Sequence, residues 1–175
     1  GRFLIDASTG ALRFASAPDF EAPADAGADN VYDLIVRASD GAGLATDQAI
    51  AVTVTDVNDA PVIGSDGGGP SASVAVDENT TAVTTVLASD ADQPAQTLTY
   101  SIVGGADAAL FVIDSSTGAL RFAAAPDFEN PADSGADNIY DVIVGVADGA
   151  GGSDTQAIAV SVRPVNDNAP VITSN

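Results

Sequence analysis

Apolar residues in this chain come in short runs. Residues 73–76, 81–88, 97–102, 111–113, 119–122, 140–146 and 156–162 either alternate apolar with polar side chains or gather Val, Ile and Thr, and clusters of Gly, Pro, Asp and Asn separate them. Each run reads as a β-strand. No segment sustains the spacing of an amphipathic helix. Seven short strands predict an all-β fold, a two-sheet antiparallel sandwich. Thr9-Gly10 and Thr117-Gly118 read as tight turns between paired strands, with Gly supplying a positive φ and Asp6 and Asp114 forming the turn. Tyr32 and Tyr140 are assigned to packing inside the sandwich.

The strand pattern repeats. Residues 1–59 align with 109–167 at a constant offset of 108 without a gap, with 40 identities in 59 positions. A period of that size is one sandwich domain, too long for a solenoid turn. The expected organisation is the C-terminal half of a repeat plus linker at 1–63, a Gly-rich insertion read as flexible at 64–71, a complete repeat at 72–167, and a linker into a following repeat at 168–175. The first repeat is thus expected to be truncated, its first three strands lying upstream.

Composition narrows the chemistry. A hydrophobic content of 46% suffices for a core and argues against disorder. Cys and His are absent, which removes disulfides and the usual zinc, iron and copper ligand sets. Against 25 acids stand five Arg and no Lys, a formal net charge of −20. Nucleic acid and anionic lipid both need clustered bases, so neither is an expected partner. No apolar run is long enough to span a bilayer. Nor is there catalytic apparatus: no His base, no Gly-x-Ser-x-Gly elbow, no phosphate loop and no Trp platform beside the carboxylates. The expectation is a non-enzyme.

The acids recur as words. Asp19-Phe20-Glu21 returns as Asp127-Phe128-Glu129, and Asp56-Val57-Asn58-Asp59-Ala60-Pro61 is answered by Val165-Asn166-Asp167-Asn168-Ala169-Pro170. Asp90-Ala91-Asp92, Glu78 and Asp148-Gly149 complete the set, and Asp40-Gly41 matches the last. A hard cation such as Ca2+ takes six to eight oxygens from carboxylates, amides, carbonyls and water. In extended chain, residues i and i+2 share a face, so acid-x-acid spacing is expected to close on one ion. Such crowding is costly for like charges alone, and a bound cation reverses that cost. The Ala-Asp-x-Gly-Ala-Asp-Asn word at 24–30 and 132–138 is read instead as a loop held by its own side-chain caps.

These words, in this order, resemble cadherin repeats, specifically the version found in large bacterial surface proteins. The resemblance covers essentially the whole chain, and all three Glu fall at ligand positions of the family. It implies tandem cadherin-like sandwiches of immunoglobulin-like Greek-key topology, with calcium held at each junction between repeats. Carried over, the internal junction would use Asp19, Glu21, Asp56, Asn58 and Asp59 from one side and Asp90, Asp92 and Asp148 from the other. Glu78, Asp127, Glu129, Asn166, Asp167 and Asn168 would belong to the next junction, and Asp40 to one upstream. Pro164 stands where the family has a linker Asp, which weakens the second junction. The implied function is calcium-dependent stiffening of an extracellular or cell-surface, bacterial multi-domain protein in support of adhesion, with neighbouring repeats and a homophilic or glycan partner. The Trp that animal cadherins use for strand exchange has no counterpart. The competing readings are a carbohydrate-binding module with structural calcium, or a passive spacer in a giant adhesin.

Overall fold

The computed structural model describes residues 1–171, so the last four residues of the stretch expected as a linker at 168–175 lie outside it. The chain divides into two compact units, one running from Gly1 to Val57 and the other beginning at Asn58. The first unit contains β1 (Phe3–Ile5), β2 (Leu12–Phe14), β3 (Val31–Ser39) and β4 (Ala45–Thr53). These form two antiparallel hairpins, β1 with β2 and β3 with β4.

The second unit contains β5 (Val62–Ile63), β6 (Ser71–Asp77), β7 (Ala82–Thr85), β8 (Ala88–Ser89), β9 (Thr99–Gly104), β10 (Phe111–Ile113), β11 (Ala119–Phe122), β12 (Ile139–Ala147) and β13 (Ser153–Arg163), with a single 3-10 turn at Ala108–Leu110. One sheet has the order β10-β11-β7 and the other β6-β13-β12-β9, while β5 pairs with β8. All pairings are antiparallel except β6 with β13. Alternating residues of β12 and β13 point inward, so Tyr140, Val142, Val144, Val146, Ile158, Val160 and Val162 are buried in a core with Phe111, Leu120 and Phe122 from the opposite sheet.

The two-sheet sandwich is the one expected, except that β6 joins β13 in parallel where the strand pattern predicts an antiparallel fold, and two further details differ. The run at 81–88 breaks into β7 and β8, because Val86 turns its N–H to Gly118 O and buries its side chain while Leu87 stays exposed. The Gly-rich stretch, expected as flexible, is tied down. Gly64 and Ser65 donate to Leu87 O, Leu87 donates to Ser65 Oγ, and the fully buried Gln156 donates through Nε2 to Ser65 O and Gly69 O. Ile63, on β5, donates its N–H to Asp154 at 2.8 Å. Four Gly in eight positions signal freedom in sequence, but these bonds restrict it.

The internal repeat holds at atomic level. Phe111, Phe122 and Tyr140 form a cluster of one stacked and two edge contacts, and Phe3, Phe14 and Tyr32 repeat it with closely similar spacings. Burial differs. Val142 and Val144 are almost wholly enclosed between sheets, whereas their counterparts Leu34 and Val36 are only half-buried and Ile35 is 70% exposed. Among the described residues β3 and β4 pair only with each other, so the first unit lacks the opposing strands that bury the same sequence in the second.

Candidate metal centres

Each acidic word is built as a turn. Asp127 Oδ1 accepts the N–H groups of Glu129 and Asn130, and Asp19 Oδ1 those of Glu21 and Ala22. Asp90 Oδ1 accepts from Asp92 N, and Asp148 Oδ1 from Ala150, Gly151 and Gly152. In Asp19, Asp90 and Asp127 one oxygen folds the loop and the second is turned away from it, whereas both oxygens of Asp148 accept from Gly152 N. This corrects the expectation that i and i+2 converge through an extended pleat: these words lie outside the strands at bends capped by Asp, where Asp90 meets Asp92 and Asp127 meets Glu129, while Asp19 joins no group with Glu21 among the described residues.

In the second unit, carboxylate oxygens of Asp90, Asp92 and Asp148 lie within 4.8 Å of one another, and so do those of Glu78, Asp127 and Glu129. Oxygens on one calcium ion, each at about 2.3–2.6 Å, can stand no more than about 5 Å apart, so both groups meet the limit. No arginine neutralises them: the single ion pair among the described residues joins Arg37 to Asp47. In the first unit Glu21 and Asp56 bring oxygens within the same 4.8 Å, with Asp19 capping the turn beside Glu21.

The Asp90 centre is the more enclosed. Asp92 and Asp148 are 2% and 6% exposed, and Asp90 Oδ2 is buried with no hydrogen-bond donor. A buried anionic oxygen without a donor carries a desolvation cost that a cation removes, so these residues fit a hard metal ion. Asn58 Nδ2 donates to Asp148 Oδ2 at 2.8 Å and to Asp59 O at 2.9 Å, and Asp59 N reaches both oxygens of Asp92 at 3.2 and 3.3 Å. The Asn58 amide, with the N–H groups of Ala150, Gly151 and Gly152, holds the Asp148 carboxyl below its usual range against the opposing effect of burial. Gly152 makes this approach possible: a Cβ there would fall 2.2 Å from Asp148 Oδ2 and 2.8 Å from both Ala60 Cα and Asp59 O. The matching position in the first unit is Leu44.

The other centre hangs on Glu78, which is 2% exposed. Its two oxygens accept Phe128 N at 2.8 Å and Val165 N at 2.6 Å, fixing the Asp-Phe-Glu turn and the stretch after β13 to the end of β6. Asp167 joins through Asn79 Nδ2 at 2.6 Å. Asn166 and Asn168 are exposed.

Several supporting residues had no signal as ligands. Asn138 Nδ2 donates to Phe128 O at 3.0 Å, and Asn30 repeats the bond on Phe20 O at 2.9 Å. Both take positive φ, at 63°. Asp133 Oδ1 and Oδ2 accept the N–H groups of Asn138 and Asp137, while Tyr140 Oη accepts that of Ala132. The Ala-Asp-x-Gly-Ala-Asp-Asn word is therefore a self-capped loop, as expected, and it also braces the Asp-Phe-Glu turn. Asp107 accepts from Ser134 and Asp141 and anchors the loop to the sandwich. The hint available in sequence was that Asp25/Asp133 and Asn30/Asn138 are identical in the two copies.

The second unit is thus a two-sheet β-sandwich with carboxylate groups gathered from loops and strand ends. The cadherin domain family matches residues 72–163, and the chain belongs to that family. Human Protocadherin Fat 1 is 32% identical over 98% of this chain, which spans 4% of that protein's length. Among solved structures, mouse Cadherin-23 EC22-24 is 27% identical with a TM-score of 0.60, covering 94% of this chain and 50% of that one. Protocadherin Gamma B7 extracellular cadherin domains 1-4 give 25% identity and a TM-score of 0.64, over 95% of this chain and 39% of that one.

Proposed function

We propose that this chain is a calcium-binding segment of a cell-surface or extracellular multi-domain protein, whose repeats are stiffened by the ion in support of adhesion. The observation that carries the reading is the Asp90–Asp92–Asp148 group with its buried, donor-less Asp90 oxygen. Calcium supplies the positive charge that lets these carboxylates sit together. The chain's own residues do the rest. Asp90 caps its loop with one oxygen and presents the other, Asp148 holds its loop through both oxygens, Asn58 and Asp59 bring the linker onto the same centre, and Glu78 ties linker and Asp-Phe-Glu turn to β6. By the family resemblance, Asp19, Glu21 and Asp56 serve the internal junction and Asp127, Glu129, Asn166, Asp167 and Asn168 the following one. Among the described residues no helix is long and apolar enough to cross a membrane.

Calorimetric titration with calcium, with magnesium as comparator, tests this. The expected affinity is that of extracellular modules, about 10⁻⁴–10⁻³ M, with weaker binding of magnesium, which demands a stricter octahedron. Asp90→Asn should lose most of the calcium heat of this centre while keeping the Asx cap and hence most of the calcium-free melting temperature. Absence of calcium heat up to about 10 mM overturns the reading.

A further inference from the structure

Gln96 lies in the loop between Asp92 and β9, and nothing in its sequence context marks it. Its Nε2 donates to Asn58 Oδ1 at 2.8 Å and to Asp92 Oδ2 at 2.7 Å, while its own Oε1 is buried without a partner. The amide group thus directs its positive end at two oxygens of the Asp90 centre and leaves its negative end unsatisfied. In the absence of a cation this is the orientation the site demands, since the reverse would set three acceptor oxygens facing one another. Once a cation shares Asn58 Oδ1 and Asp92 Oδ2, the demand inverts. An N–H donor facing the ion is repelled, and a half-turn about the terminal torsion exchanges Nε2 for Oε1, which turns the acceptor to the ion and frees the amino group from Asn58 and Asp92.

We infer that Gln96 is a switchable member of this centre: a donor that holds Asn58 and Asp92 together when the site is empty and an oxygen ligand for a divalent cation when it is filled. The inference rests on the calcium reading above and adds a residue to it. Both roles fit a neutral amide, whereas a carboxylate can fill only the second and an apolar side chain neither.

The test uses the full chain and site-resolved NMR titration with calcium, following the Asp92 and Asp148 amides and the Gln96 side-chain amide. In chelator the Gln96 NH2 pair should exchange slowly with solvent, and calcium should release it. Gln96→Glu should tighten calcium at this centre by roughly tenfold, because affinity follows ligand charge count, and should lower the calcium-free melting temperature. Gln96→Met, similar in length but without donor or acceptor, should weaken binding several-fold and also lower the calcium-free melting temperature. If Gln96→Glu weakens binding or leaves it unchanged while Asp92 and Asp148 still respond to calcium, Gln96 is a fixed donor only and the inference is overturned. If the wild-type Asp92 and Asp148 amides do not respond at all, the calcium reading itself falls.

Discussion

At the residue scale, the short reach of Asp explains why it outnumbers Glu 22 to three. An Asp can cap the N–H groups two and three residues ahead and still offer its second oxygen, so one side chain both builds a loop and furnishes a ligand. The same bonding sets acid sensitivity. The Asp114 carboxyl is held below its usual range by Thr117 and Ser116 N–H groups. At Asp133 burial pushes upward, but the N–H groups of Asp137, Asn138 and Gly135 outweigh it. A carboxyl with a lowered native pKa stabilises the fold fully above its unfolded value, about 3.9, and loses that contribution as pH falls through the native value. In calcium-free thermal melts, stability should therefore hold from pH 7 to about pH 5 and drop below about pH 4. Asp114→Asn and Asp133→Asn should be less stable at neutral pH and show a shallower drop. Gly152 carries a steric prediction: Gly152→Ala forces Asp148 or the Asp59-Ala60 backbone to move, so calorimetry should show weaker calcium binding and melting a lower calcium-bound midpoint.

At the element scale, the strands follow directly from alternation and β-branching, and the Asp-Phe-Glu turns follow from what is packed behind them. The loop at 132–138 acts as a brace, so its role can be separated from plain backbone strain. Asn138→Gly keeps the positive φ and removes only the bond to Phe128 O, a loss of about 1 kcal/mol. Asn138→Ala adds the left-handed penalty of about 1–2 kcal/mol. Denaturant unfolding should rank wild type above Gly above Ala. The seven runs, both Thr-Gly turns and the repeat were legible in sequence because each depends on local pattern. The split of 81–88, β5 and the anchored Gly-rich loop were not, because they depend on partners such as Gly118, Ala88 and Gln156 that are distant in sequence.

At the scale of the whole molecule, the proposed role is mechanical, and the measurement that bears on it is the calcium response of the linker. Limited proteolysis across 54–61 should be several-fold faster in chelator than in millimolar calcium, and Asp92→Ala should abolish the difference; equal rates would count against stiffening. Local order by itself fixed much of this protein: alternation set the strands, a self-match at 108 residues set the domain size, and the acidic words named oxygen donors for a hard cation. Tertiary structure decided which of those donors meet. It gathered Asp90, Asp92 and Asp148 into one group and Glu78, Asp127 and Glu129 into another, and it left Asn166 and Asn168 exposed. It also recruited Gln96 and Gly152, for which no pattern exists. Periodicity is encoded between near neighbours, whereas a coordination centre depends on distances between loops that only the packed sheets bring together.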